Sequence, residues 1–238
     1  MPYPRRPTFL LLVVALPLLL AATGCAPRDA RGTLARARGG TIRVGVSENR
    51  PWTTLPSGGG GGGLEGALAA EIARDLGAKI DWVRAPESQL LEALALHELD
   101  LVIGGLTDVT AWKSRVALTR PFYVDTIVVA GPQGAPRIGR LNRRSVAVRA
   151  AEPATGALVR ASGGTPLWVP DLSHAPGLAA APTWQLPGLG MTSVGITLRE
   201  ARHVMATPRG ENAWRAFVEA SVAKRVTGID EILRMQGL

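Results

Sequence analysis

One cysteine, three histidines and a run of glycines are the residues of this 238-residue chain that first invite a chemical reading. Cys25 stands alone, so it forms no internal disulfide, and it precedes every patterned segment, which makes it a poor nucleophile. His97, His174 and His203 fall on a helix face, in an irregular loop and at a strand start; their spacing fits no metal site and no Ser-His-Asp grouping. Gly58 to Gly63 lacks the following Gly-Lys-Ser or Gly-Lys-Thr that a phosphate cradle requires. The run reads instead as a flexible loop insertion. No metal and no cofactor are expected, and no enzymatic activity.

The N-terminus reads as an export signal. Arg5 and Arg6 precede the apolar stretch Phe9 to Leu20, which is shorter than the roughly 20 residues a membrane span needs. Small residues then lead to Cys25, an arrangement that resembles the lipobox of bacterial lipoproteins and implies that Cys25 carries a lipid at the mature N-terminus. Residues 1–24 are thus the expected signal and 25–40 a polar, Arg-rich tether, placing the protein in the periplasm or cell envelope. The net charge of +8 falls to +6 without Arg5 and Arg6. The remaining arginines are scattered among acids with no basic run, which argues against nucleic acid as a partner.

Hydrophobic spacing builds the elements that would position a site. Ile42, Val44 and Val46 alternate as a strand, and Leu68, Ile72 and Leu76 mark a helix over 67–76 that Gly77 ends. A strand at 79–83, a helix after Pro86 and an apolar strand at Leu101–Ile103 complete a β-α-β-α-β run, the pattern of a parallel sheet with helices packed over it. Ligands of such sheets lie beyond the carboxyl ends of the strands, here the turns after Val46 and Ile103. Further strands are expected at 126–130, 145–149 and 167–169, a helix at 154–161, irregular chain from 170 to 195, a strand at 203–207, and helices at 213–222 and 229–235.

Three stretches carry a family resemblance: Gly63-Leu-Glu-Gly-Ala-Leu-Ala-Ala-Glu-Ile-Ala-Arg-Asp-Leu-Gly77, Glu98-Leu-Asp-Leu-Val-Ile-Gly-Gly-Leu-Thr107 and Val116-Ala-Leu-Thr-Arg-Pro-Phe-Tyr123. The chain resembles the extracellular solute-binding proteins of polar amino-acid ABC importers. The resemblance implies a two-lobed α/β fold of the periplasmic-binding-protein kind, each lobe a mostly parallel sheet flanked by helices. Lobe 1 would comprise 41–131 and 201–238, and a reduced lobe 2 would comprise 132–200. It implies a monomer that captures a small polar, cationic or aromatic molecule in the cleft and presents it to an ABC transporter permease; the alternatives are a degenerate receptor acting as an envelope interaction or sensory protein and, behind it, a dehydratase-like enzyme on the same fold.

Carried over residue by residue, the resemblance makes Trp52 a stacking group and Thr107 a hydroxyl donor, with Asp108, Trp112, Arg120, Tyr123, Glu152 and Trp184 as further ligand-binding candidates. Trp112 occupies the place of the family's arginine, whose two-pronged grip holds an α-carboxylate. Ala151-Glu152-Pro153 replaces the second lobe's carboxylate-receiving loop, and its proline removes a donor. These departures, with three candidate tryptophans, point to a cationic or aromatic solute.

Overall fold

The structure is a computed structural model describing residues 27–236. The expected signal segment and Cys25 lie outside these residues.

The first sheet is built from β1 (Thr41–Val46), β2 (Lys79–Arg84), β3 (Leu101–Ile103), β4 (Ala117–Leu118) and β10 (Ala206–Thr207), ordered β2-β1-β3-β10-β4. β1 pairs in parallel with both β2 and β3, whereas β10 runs antiparallel to β3 and β4. Strand alternation puts Ile42, Val44, Leu101 and Ile103 on one face and Val102 on the other. The first face buries the apolar stripes of α2 (Gly63–Leu76), α5 (Asn212–Ala223) and α6 (Ile229–Gln236), with Trp214 at its centre. The second is covered by Leu90, Leu91 and Leu94 of α3 (Glu87–Ala95). A Cβ at Gly45 would lie 2.8 Å from Leu99 Cδ1 and 2.9 Å from Leu90 Cδ2, so a side chain there would force this layer off the strand.

The second sheet contains β5 (Tyr123–Pro132), β6 (Ser145–Arg149), β7 (Thr165–Val169), β8 (Ala179–Pro182) and β9 (Met191–His203), ordered β7-β6-β8-β5-β9. β6 is parallel to β7 and β8, while β5 runs antiparallel to β8 and β9. Val159 of α4 (Pro153–Ala161) covers the face carrying Val146 and Val148. The opposite face, with Ala147 and Ala181, packs against Leu172 and Leu186, which belong to or adjoin short 3-10 turns at Leu172–His174 and Thr183–Gln185. The second lobe is therefore reduced in helix, not in strand. Two sheets with flanking helices agree with the expected two-lobed α/β fold.

Five expectations are corrected. Each lobe's sheet, expected to be mostly parallel, is mixed, with two parallel and two antiparallel pairings. Residues expected to form a tether include α1 (Thr33–Ala37), with Thr33 and Ala37 buried. Its free N-H groups are received by the buried Glu211 carboxylate, from Arg31 N at 2.8 Å and Thr33 N at 2.9 Å. The glycine run lies against Trp82: a Cβ on Gly61 would meet that ring at 2.6 Å, and Arg84 Nη2 holds the carbonyls of Pro56 and Gly60 at 2.6 and 2.8 Å. The segment from 191, expected to be irregular to 195, is the start of β9, paired with β5 from Pro132↔Met191 to Tyr123↔His203. The chain consequently enters the second sheet at Tyr123 rather than near 132, and leaves it at His203.

A buried charge ties these layers together. The Asp100 carboxylate accepts Arg43 N at 2.8 Å, Arg43 Nη2 at 2.7 Å and Arg36 Nη2 at 2.8 Å, while its carbonyl receives Trp214 Nε1 at 2.6 Å. Burial pushes this carboxyl up, but Arg43 and Arg36 outweigh it and hold Asp100 below the usual carboxylate range. A depressed folded pKa contributes stability above the unfolded value, lost as pH falls through the folded one. Asp100→Asn is expected to cost about 2 kcal/mol near neutral pH, the scale of hydrogen bonds to a charged group, with a smaller difference from the native protein in acid, measured by urea unfolding.

Candidate ligand-binding site

The carboxyl ends of β1, β2 and β3 converge on one rim. A cavity of about 500 Å³ there is lined by Ser47, Asn49, Arg84, Glu87 and Gly104. A neighbouring one of about 340 Å³ is lined by Glu87, Gly105, Thr107, Thr110 and Trp112. All these residues belong to the first lobe. The floor of the rim is a Gly104-Gly105 turn that admits no side chain: Gly105 has φ +67, and a Cβ there would fall 2.4 Å from Asn49 Nδ2. Asn49 Nδ2 donates to Gly104 O at 2.9 Å, and both glycine N-H groups donate to Glu65 Oε2, at 2.8 and 2.9 Å. Glu65 is fully buried and its Oε1 has no partner. Burial pushes its carboxyl up to about 7, against the opposing pull of the two glycine N-H groups.

Behind the rim the two lobes meet through aromatic rings. Trp52 is 6% exposed and stacks on His203 with ring centroids 3.6 Å apart; Tyr123 tilts against it at 5.6 Å. His203 is itself buried, neither ring nitrogen has a partner, and burial pushes the imidazole down to about 4. Tyr123 donates its hydroxyl to Asp230 at 2.6 Å, and burial together with that carboxylate pushes the phenol up. Asp125, two residues along β5, lies 3.6 Å from Arg199.

A third cavity, of about 540 Å³, sits where β6, β7 and β8 end. Its walls include Arg149, Asp171, Ser173, Trp184 and Gln185 of the second lobe and Arg234 of α6. Arg149 Nη2 donates to Gln185 Oε1 at 2.6 Å, and its Nε is 3.4 Å from Glu152. Asp171 accepts both Ser173 N, at 3.0 Å, and Ser173 Oγ, at 2.7 Å.

The family model of the bacterial extracellular solute-binding proteins, family 3, matches residues 42–230, most of the chain. The chain belongs to this family. Among solved structures, its fold is similar to an ancestral cationic amino acid solute-binding protein, at 17% identity over 86% of this chain and 99% of that one, TM-score 0.63. It is also similar to the unliganded open L-cystine solute receptor of Neisseria gonorrhoeae, at 14% identity over 82% and 92%, TM-score 0.62. The open second substrate-binding domain of Lactococcus lactis GlnP gives 14% identity over 82% and 94%, TM-score 0.58. No curated protein matches the sequence. Members of the family bind small molecules outside the cytoplasm and work with ABC importers. No helix among the described residues is long and apolar enough to cross a membrane.

Within this solute-binding protein the candidate residues separate into three groups. Thr107, Asp108 and Trp112 stand at or beside the first-lobe rim. Thr107 bridges to His203 through the backbone, and its hydroxyl has no hydrogen-bond partner among the described residues; Thr110, not Thr107, caps the following turn. Trp112 packs on the α3 core and lies under Arg115 at 5.0 Å, while Arg115 forks onto Glu92 at 2.7 and 3.0 Å. Glu152 and Trp184 belong to the second-lobe end, where Glu152 also accepts Thr155 Oγ1 at 3.2 Å.

Trp52, Tyr123 and Arg120 are placed elsewhere. The two aromatics anchor the junction of the lobes, Trp52 as a buried packing ring. Arg120 is bound to Glu219 of α5 through its N-H and Nε, both at 2.9 Å, beside a cavity of about 300 Å³ formed with Phe122, Val222 and Val226. Sequence reasoning did not single out Glu65, Glu87, Arg149, Asp171 or Arg234. Only Glu65 carried a signal, as an acid inside the quoted Gly63–Gly77 stretch.

Proposed function

We propose that this protein is an extracytoplasmic receptor that captures a small cationic or aromatic solute between its lobes and hands it to an ABC importer. Cys25, after an apolar export segment, serves as its lipid anchor, and the receptor acts by binding rather than turnover. The observation that carries the solute class is the first-lobe rim: around the Thr107 hydroxyl the second cavity offers the Glu87 carboxylate and the Trp112 ring, and no guanidinium. Arg115, the nearest arginine along the chain, is committed to Glu92. Such a wall favours a positive or planar group and leaves a carboxylate without a partner there.

Isothermal titration of the mature protein with cationic and aromatic compounds, alongside glutamine and glutamate, is the test. Heat is expected with the cationic compounds. Heat with glutamine or glutamate and none with cations would overturn the reading.

A further inference from the structure

The chain that follows Cys25 is fastened to the first lobe almost at once. Arg28 O accepts Asn212 N at 3.3 Å, Ala30 N donates to Gly210 O at 3.2 Å, and the Asp29 carboxylate accepts Leu34 N and Trp214 N, both at 2.8 Å. With Glu211 receiving Arg31 N and Thr33 N, residues 28–34 are laid along the 209–214 segment and the start of α5. Three steps of chain lead from Arg28 back to Cys25, a reach of about 10 Å even when fully extended. A lipid on Cys25 therefore holds this one end of the first lobe within about that distance of the bilayer surface.

That end is basic. The two paired segments, 28–40 and 209–215, hold six arginines, Arg28, Arg31, Arg36, Arg38, Arg209 and Arg215, against two acids, Asp29 and Glu211. Both acids keep their charges, but they are turned onto backbone N-H groups, and four positive charges remain in excess. Of the six arginines only Arg36 has an ion pair among the described residues, with the Asp100 that it shares with Arg43. Arg28, Arg31, Arg38 and Arg209 are exposed. Strand direction sets where they look. β10 is antiparallel to β3, so the chain leaving it at Thr207 emerges at the amino end of β3, and α1 leads into the amino end of β1. The patch thus lies at the opposite end of the sheet from the ligand rim. A second basic group, Arg140, Arg143 and Arg144 before β6, is also exposed and without an ion pair among the described residues, but it belongs to the other half, far along the chain from Cys25.

We propose that the first lobe docks on an anionic lipid bilayer through the face carrying Arg28, Arg31, Arg38 and Arg209, with the ligand rim turned toward solvent. The proposal rests on the reading of Cys25 as the lipid anchor and adds the docking face and the charge of the headgroups it meets. One acyl chain alone holds a protein to a membrane only marginally, and a basic patch beside it is a second signal that makes the attachment stable. Each base near an anionic surface favours the bound state by about fivefold. The first lobe is then the fixed half, and the second lobe is the one that swings. Contacts of this kind are screened by salt and reversible, so the lobe rolls off this face when its cleft meets an importer.

Cys25 is the only cysteine, so the mature protein can be coupled through it to maleimide-bearing lipid in vesicles of phosphatidylcholine alone or of phosphatidylcholine with phosphatidylglycerol. The rate at which phenylglyoxal modifies each arginine is then read by mass spectrometry. On the anionic vesicles Arg28, Arg31, Arg38 and Arg209 should react about tenfold or more slowly than on the neutral ones, with Arg140, Arg143 and Arg144 unchanged. The protection should vanish at about 1 M salt, where the screening length falls to about 3 Å. Arg28→Gln, Arg31→Gln and Arg38→Gln together remove exposed side chains that make no ion pair or side-chain hydrogen bond among the described residues, and should return Arg209 to its neutral-vesicle rate. Arg140→Gln, Arg143→Gln and Arg144→Gln together remove the same charge and should leave Arg209 protected. Equal rates on the two kinds of vesicle, or as much protection at Arg140, Arg143 and Arg144, would overturn the docking face. The intact mass of the exported protein's N-terminus reports the anchor separately: an unmodified Cys25 there would overturn the lipid reading, whatever the vesicles show.

Discussion

Trp52→Ala is expected to lower the unfolding free energy by about 3–5 kcal/mol, the range for removing a fully packed aromatic. The ring is held on one side by His203 and on another by Tyr123, and it belongs to the largest buried cluster of the first lobe. Its loss would also admit water to the two partnerless nitrogens of His203. The imidazole, which burial holds down to about 4, should then titrate closer to the ordinary histidine value. Urea unfolding measures the first effect and an NMR titration of the His203 ring the second. Trp52→Phe keeps an aromatic face and should lose much less of both. If the alanine variant unfolds with the native midpoint, Trp52 is not the packing anchor described here.

Glu65→Gln should instead make the protein more stable at and above neutral pH. With a folded pKa near 7 and an unfolded value near 4.5, the native carboxyl retains a proton that the unfolded chain releases between those values. Stability from this group is therefore present below about pH 4.5 and lost as pH rises toward 7. The penalty above pH 7 is on the order of 3 kcal/mol. A glutamine amide can accept the Gly104 and Gly105 N-H groups through its oxygen and carries no charge, so the variant should exceed the native protein by about that amount at pH 8 and match it near pH 4. His203 has the opposite sign: its depressed pKa costs stability as pH falls below the unfolded value of about 6.5. The two slopes oppose each other between about pH 4.5 and 6.5. The glutamine variant should consequently lose stability as pH falls through that window while the native protein changes little, as urea midpoints at several pH values would report.

The parts of this fold legible from sequence are those where burial imposes a period. Leu101–Ile103, buried on both faces, and the Trp214, Val218 and Val222 stripe of α5 fall where the apolar spacing puts them. β9 escaped over most of its length because it is an edge strand whose Thr197, Arg199, Glu200 and Arg202 leave no apolar run; backbone pairing with β5 holds it, and that pairing has no local signature. Residues 29–37 looked like a tether for a related reason. What orders them is one buried acid, Glu211, about 180 residues away.

The site was half legible. Thr107 and Trp112 follow from a strand end, which sequence locates well. Trp52 does not, because a tryptophan after a strand serves equally to stack on a solute or to fill a core, and what decides is His203, distant in sequence. Arg149 and Arg234 come from strands and helices that only the tertiary fold brings to one cavity.

The passage between the lobes has almost no slack. Four residues connect β4 to β5 and two connect β9 to β10, and the crossings are stitched to each other: Thr119 N donates to Met205 O, Met205 N to Thr119 Oγ1, and Phe122 N to His203 O, at 2.9, 2.9 and 3.0 Å. A pair of short straps laced side by side resists sliding and stretching far more than it resists bending about a common line. The halves are thereby confined to something close to one angular coordinate, like a book on its spine. A solute seated between the covers has little wandering motion left to suppress, so most of what it gains by touching both can go into keeping the book shut.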